Sequence, residues 1–372
     1  MTQSQALRLE NPLPFSGSYH PSDAIFLLRP IPMPEKAVMD ASAREKAIQS
    51  GKAHYSETIP KEGAPLPEYM TLFNQMHERY KERMAAEILR LAEEVKQRRG
   101  TTVTILSLAR AGTPIGALLQ RALRNKAYKM DVAHYAVSII RDRGLDEEAI
   151  RHVLEVEGRP AESIIFVDGW TAKGAITREL KSAVAKWNAE NTAQISDELY
   201  VVSDIGGTAD VCATTDDYVM PSGILNSVVS GLVSRSALID MKPGSFHTCV
   251  YYSHLQPHDI STKFLDDVHQ QMWRVQTAPA VTADRDARHQ EVMAYLENVQ
   301  RTYGVSDLNR IKPGIAEATR ALLRREPDIL MLKDPNDVNV QHSLLAAQAK
   351  GIQVITDPNM PFNALTLIRD VT

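Results

Sequence analysis

Apolar residues recur at spacings of three and four over 67–98, where Phe73, Met76, Tyr80, Met84, Ile88, Leu91 and Val95 line one face. That period predicts a long amphipathic helix, closed by Lys96, Arg98 and Arg99 and then Gly100. Beyond it the pattern changes. Short apolar runs at 103–108, 131–140, 163–168 and 198–204 read as buried strands, and stretches at 113–125, 145–156, 174–190 and 221–239 read as the helices between them. Such alternation predicts an α/β fold: a parallel sheet flanked by helices. The segment before residue 67 is aperiodic and broken by Pro, which suggests an arm lying on the main body with a short strand at 24–28. Small polar residues over 276–286 read as a linker. After it, helices at 287–303, 313–325 and 338–350, strands at 328–333 and 352–357, and a last helix from Pro361 predict a small α/β unit. The expected divisions are therefore 1–66, 67–275, 276–286 and 287–372.

Composition narrows the function. The 372 residues carry 42 Lys+Arg against 46 Asp+Glu, a net charge of −4, which excludes a protein that binds nucleic acid through bulk charge. Two cysteines exclude a disulfide scaffold and a four-cysteine zinc site. Pro257 lies between His254 and His258 and breaks the helix that would align them on a metal. No apolar run reaches the roughly 18 residues of a membrane span, and Met1–Pro14 has no apolar signal core, so the expectation is a cytoplasmic protein that does not enter membranes.

In parallel α/β sheets, ligands sit at the carboxyl ends of the strands. At 164–176 (IIFVDGWTAKGAI) an apolar strand ends in Asp168, and a loop with Gly169 and Gly174 opens a helix. Such a loop turns backbone N–H groups and a helix N-terminus toward an anion, to which Lys173 adds an ammonium. The same turn also reads as an ordinary strand-to-helix connection. The loop Ala109, Arg110, Ala111 and Gly112 repeats the pattern after the first strand, with Thr113 and Pro114 starting the next helix. A third loop holds Arg141, Asp142 and Arg143 before Gly144, either a solvated turn or a flexible lid over an anionic substrate.

These three loops resemble those of the phosphoribosyltransferase superfamily. The resemblance implies a phosphoribosyltransferase-like fold and a small phosphorylated ribose substrate, phosphoribosyl pyrophosphate, accompanied by magnesium. By position, Asp168 matches the ribose-binding acid, and Thr171, Ala172, Lys173, Gly174 and Ala175 match the phosphate loop. Ala109–Gly112 matches the pyrophosphate loop, and on this reading Asp168, Arg110 and Lys173 carry the chemistry. Gly169 stands where the family has a second acid, Lys173 where it has Thr or Ser, and Ile176 where it ends in Thr. Longer segments, FSGSY (15–19), SLARAGTP (107–114), DGWTAKGAI (168–176), CATTDDYVMPSGILNSVVSGLVSR (212–235) and FHTCVYY (246–252), resemble a narrower StiP-type family found with tellurite-resistance and stress systems. That family ends in a Pelota-like RNA-binding domain and includes relatives labelled cysteine proteases. It implies synthesis of a nucleotide- or nucleoside-like product. A non-catalytic nucleotide sensor that binds RNA is a further alternative.

A cysteine-protease reading needs a thiol, a base and a group that orients the base. Cys212 is the candidate nucleophile and His247 the base, with Asp204, Asp216 or Asn226 as orienter. Each also has a bland reading, Cys212 as a small buried side chain and His247 as a residue of an apolar strand. Thr214, Thr215, Asp216, Asp217, Ser222 and Asn226 are alternatively an acceptor pocket. The loop at 204–208 (DIGGT) is similar to a phosphate loop that joins two strands of a hairpin; the residues after it do not read as a strand. In the C-terminal part, residues 301–325 hold Arg301, Arg310, Lys312, Arg320, Arg324 and Arg325 against Asp307 and Glu317, a local basic stripe that reads as a solvated helix face or as one able to follow a phosphate backbone. The sequence leaves the oligomeric state open.

Overall fold

The computed structural model describes residues 14–34, 46–47, 49–50, 54–125 and 128–370. The expected arm over 1–66 thus lies partly outside the described residues. Along the first part of the chain run β1 (Ile25–Phe26), β2 (Arg29–Ile31), α1 (Pro67–Arg98), β3 (Thr102–Leu108), α2 (Thr113–Leu123) and β4 (Asp131–Val137). There follow β5 (Ile139–Ile140), β6 (Gly144–Leu145), α3 (Glu147–Arg151), β7 (Ile164–Thr171), α4 (Ala175–Glu190), β8 (Leu199–Asp204) and β9 (Val211–Thr214). A short α5 (Pro221–Ile224), β10 (Thr248–Val250) and α6 (Ser261–Gln271) complete this part.

Six strands form the sheet in the order β1-β4-β3-β7-β8-β9, every neighbouring pair parallel. Side chains alternate across it, as strand geometry requires. Val103, Ile105, Ile165, Val167, Tyr200 and Val202 face one core with the apolar stripe of α1. Leu106, Leu108, Phe166, Leu199 and Val201 face the other, with Leu180, Val184 and Trp187 of α4. The predicted α/β architecture is the observed one. Tyr19, Phe26, Leu27 and Leu28 of the N-terminal segment are buried against this body, and the Tyr19 hydroxyl donates to Val229 O at 2.9 Å.

The second part has α7 (Arg285–Tyr303), β11 (Ile311–Pro313), α8 (Ile315–Arg324), β12 (Pro327–Leu332), α9 (Gln341–Ala349), β13 (Gln353–Thr356) and β14 (Ala364–Ile368). Its sheet runs β11-β14-β12-β13.

Three sequence expectations fail for identifiable reasons. The helix expected over 221–239 stops at Ile224. Beyond it Ser227, Ser230 and Ser234 bond to Glu62 or to neighbouring backbone, and Val233 and Ala237 bridge to Tyr251 and Thr248. Serine hydroxyls compete with helical hydrogen bonds, and β-branched valines fit an extended chain. The last helix expected from Pro361 is instead β14, fully buried between β11 and β12. Thr366, Leu367 and Ile368 suit that position, and a central strand buried on both faces shows no alternation to read. The chain after DIGGT does form a strand, β9, but it pairs parallel with β8, so there is no hairpin phosphate loop.

Candidate functional site

A cavity of about 350 Å³ opens at the carboxyl ends of β3 and β7, where a parallel sheet is expected to hold its ligand. Arg110, Asp168, Lys173 and the 170–176 loop line it from the sheet, with Arg141 from the β5–β6 turn and Arg235 from the segment before β10. Lys312, Pro313, Glu317 and Arg320 close it from the C-terminal unit. The outward basic stripe expected over 301–325 is therefore not continuous. Lys312 and Arg320 turn inward to the cavity, and Arg310 is taken up by Ile368 O and Asp370.

The loops achieve this by close packing. A Cβ on Gly112 would lie 2.4 Å from Val167 O, so only glycine lets the 109–112 turn sit against β7. Gly174 has φ +69° where the 171–175 loop enters α4, and the Thr171 and Thr208 hydroxyls bond at 2.9 Å. Ala172 O lies against Gly206, and Ala175 begins the helix. The Ala109–Arg110 peptide is cis.

Several predicted residues are occupied otherwise than expected. The Lys173 ammonium is buried and donates to Leu308 O at 2.8 Å and Ile311 O at 2.7 Å. It fastens the C-terminal unit to the phosphate-type loop rather than waiting for a phosphate. Burial first, and then Lys312, holds it well below the ordinary lysine range. Arg110 pairs with Glu62 at 2.5 Å and donates to Val233 O at 2.9 Å. Asp168 accepts the Gly169 N–H at 2.7 Å, and burial pushes its carboxyl up to about 7. In the loop expected as a flexible lid, the Glu179 carboxylate accepts N–H bonds from Asp142 (2.8 Å) and Gly144 (2.9 Å), while Arg143 is exposed.

The expected acceptor pocket is dispersed. Thr214, Thr215 and Asp216 line a different groove with the 276–283 segment, and Asp216 pairs with Arg83 at 2.7 Å. Asp217 is a second clamp between the units. It accepts N–H bonds from Ile315 (2.9 Å) and Asn363 (2.8 Å), and Asn363 Nδ2 donates to Asp217 O at 2.6 Å. Burial pushes its carboxyl up to about 6 against those donors. Ser222 is buried in α5, and the Asn226 carbonyl accepts from Ser230.

The Cys212–His247–Asp216 triad does not assemble. Cys212 is on β9, at one edge of the sheet, while the His247 ring bonds Ser138, just beyond β4, at 2.8 Å. Four strand spacings separate β4 from β9, on the order of 19 Å. The His247 N–H donates to Asp146 at 2.6 Å, and burial lowers the imidazole's affinity for a proton. Burial, and then Asp204 and Glu94, push the Cys212 thiol up to about 12. Asp204 itself is held by its own loop, accepting from Gly206 N at 3.1 Å and Ala209 N at 2.7 Å. Cys249 is fully buried, and its thiol too is pushed up.

The sequence singles out nothing at Glu62, and it gives no cavity role to Arg235, to Glu317 or to Trp170, over which the Arg320 guanidinium stacks at 4.6 Å. Glu62 is an acid in a Pro-rich arm, the one available hint that an arginine awaits it. Among the described residues, no group of three or more His, Cys, Asp or Glu gathers in a way that could hold a metal. The cavity's two carboxylates, Asp168 and Glu317, are set among cations, a donor set that does not fit the expected magnesium.

Fold and site together define a two-part α/β protein: a parallel-sheet body with a cationic cavity at its strand ends, closed by a small mixed-sheet unit. The family model described as "Tellurite-like stress resistance cysteine protease StiP" matches residues 17–269, and that described as "PELOTA RNA binding domain" matches residues 290–370. The "Cysteine protease StiP" of Acinetobacter baylyi is 36% identical over 95% of this chain and 94% of its own. The chain belongs to the StiP family. Among solved structures, the hypoxanthine phosphoribosyltransferase of Trypanosoma cruzi covers 38% of this chain and 82% of its own, at 14% identity and a TM-score of 0.27, too little to carry an argument. The same score is reached by an alanine mutant from a study of an invariant aspartic acid in HPRTs, at 15% identity over 38% of this chain and 81% of its own. The transferase function expected from the loop resemblance is thus overturned, since the full-length relative and the family description both name a cysteine protease. Among the described residues, no helix is long and apolar enough to cross a membrane.

Proposed function

We propose that this chain is a StiP-type cysteine protease with an RNA-binding unit at its C-terminus, in a resting arrangement. The observation that carries the reading is the 36% identity, across nearly the whole of both chains, to a relative that bears that name. The match of 290–370 to the PELOTA RNA binding domain supports the RNA contact.

The geometry sets conditions on the chemistry. Cys212 is the thiol to consider, because Cys249 is sealed in the core and Cys212 is not. A nucleophilic sulfur attacks the scissile carbonyl, the amine leaves with a proton, and water then cleaves the thioester. The Cys212 proton must first depart, and the resting fold opposes this by burial and then by the nearby Asp204 and Glu94. The segment leading into β9 is held by α7: Arg285 donates to Ala209 O at 3.1 Å, Arg288 to Ile205 O at 2.9 Å, and the His289 ring bonds Gly206 O at 3.0 Å. Activity on this reading requires α7, the first helix of the RNA-binding unit, to release that segment.

The test is hydrolysis of an unfolded polypeptide by wild type, Cys212→Ala and Cys249→Ala, with and without RNA. The reading expects cleavage that is lost in Cys212→Ala and kept in Cys249→Ala. Cleavage retained by Cys212→Ala, or none by wild type in either condition, overturns it.

A further inference from the structure

The cavity wall is rich in positive charge. Besides Arg110, paired with Glu62, and Lys173, taken up by Leu308 O and Ile311 O, four further cations line it. Arg141 and Arg235 come from the sheet body, and Lys312 and Arg320 from the C-terminal unit. Facing them are Glu317 and Asp168. Burial works to raise the Glu317 carboxyl, but Lys312 and Arg320 outweigh it and keep it ionised. Asp168 is held near half-ionisation at neutral pH. The Nε atoms of Arg141 and Arg320 are buried and lack a hydrogen-bond partner, one on each wall. Buried guanidinium N–H groups are rarely left unsatisfied, so two around one cavity indicate a missing acceptor.

The division of the charge has a consequence. Docking the C-terminal unit brings Lys312 and Arg320 up to Arg141 and Arg235, a repulsion that the attraction of Glu317 for Arg141 and of Asp168 for Arg320 offsets only in part. An anion between them adds attraction to cations on both sides. Its binding and the docking of the unit are then coupled, each favouring the other by the same factor.

We propose that the cavity binds a compact multivalent anion, a polycarboxylate or phosphate-class oxyanion, which bridges Arg141 on the body and Arg320 and Lys312 on the C-terminal unit and locks the two together. The cavity's volume of about 350 Å³ suits a small molecule. This inference rests on the cavity alone and stands or falls apart from the protease reading.

Citrate and inorganic phosphate serve as probes, at ionic strength matched with sodium chloride. Calorimetry reads binding. Hydrogen exchange at the Ile315 and Asn363 amides reads docking, because both donate across the junction to Asp217. The expected result is binding of citrate or phosphate to the full chain and at least tenfold slower exchange at both amides on saturation. Arg141→Met and Lys312→Met should each weaken binding at least tenfold, whichever wall is changed. Binding without slowed exchange overturns the coupling and leaves an anion site. No binding of either probe by wild type overturns the site itself, and so does binding confined to an RNA oligonucleotide. Should Lys312→Met fail to fold, wild-type exchange with and without citrate still decides the coupling.

Discussion

Replacing Asp168 by Asn tests the electrostatics of the cavity floor. The Asp168 carboxyl sits at the end of β7 with a single short N–H donor, Gly169 at 2.7 Å, and burial lifts it from 3.8 to about 7. A rise of roughly three units, at about 1.4 kcal/mol each, makes the ionised carboxylate cost the folded state about 4 kcal/mol relative to its protonated form. Water in the cavity screens part of this, so roughly 2–4 kcal/mol is the working figure. The folded state binds more protons than the unfolded between pH 3.8 and about 7. This stabilising contribution is therefore fully present below the unfolded value and lost as pH rises through the folded one. The asparagine of Asp168→Asn does not titrate. Urea unfolding of both proteins from pH 4 to 8 should show the variant gaining on wild type by about 1 kcal/mol per pH unit, levelling above pH 7. A difference between the two that stays flat with pH refutes the reasoning.

Three other outcomes follow from the geometry. With its thiol pushed up to about 12, Cys212 is thiolate to only about one part in 10⁵ at pH 7. Iodoacetamide labelling of the resting protein should thus be slow and rise about tenfold per pH unit, and His247→Gln should leave the rate unchanged; a slowed rate would restore His247 as the base. Gly207 has φ +63°, and a Cβ there would lie 2.2 Å from Arg285 O, so Gly207→Ala should lower stability by roughly 1–3 kcal/mol in urea unfolding and speed Cys212 labelling by loosening α7. Lys173 is held well below its ordinary range, so the unfolded state binds the extra proton and wild-type stability should rise with pH toward 10; Lys173→Met should lose that rise in the same titration.

The main sheet is legible in the sequence because its strands and helices follow two clear periods. Phe73 to Val95 mark α1, and the runs ending in Leu108, Asp168 and Asp204 mark β3, β7 and β8. β9 escapes because its four residues follow a polar Gly-rich loop, and β14 because a doubly buried strand has no alternation. The loops at 109–112 and 168–175 are found where the cavity lies. Their roles are not legible, since a lysine beside a glycine looks the same whether it meets a phosphate or the carbonyls of Leu308 and Ile311. Those partners lie more than 130 residues away, as does Asp217's partner Asn363, so no local pattern could reveal the junction. The distance between Cys212 and His247 is equally hidden, because strand order, not spacing along the chain, sets it.

The protease reading is tested most directly by trapping the protein during turnover. The full-length chain is incubated with an unfolded polypeptide and RNA, quenched in acid, and mapped by peptide mass spectrometry for a thioester. The account predicts an acyl adduct on Cys212 and none on Cys249. Turnover with no adduct on Cys212, or with an adduct on any other residue, contradicts it.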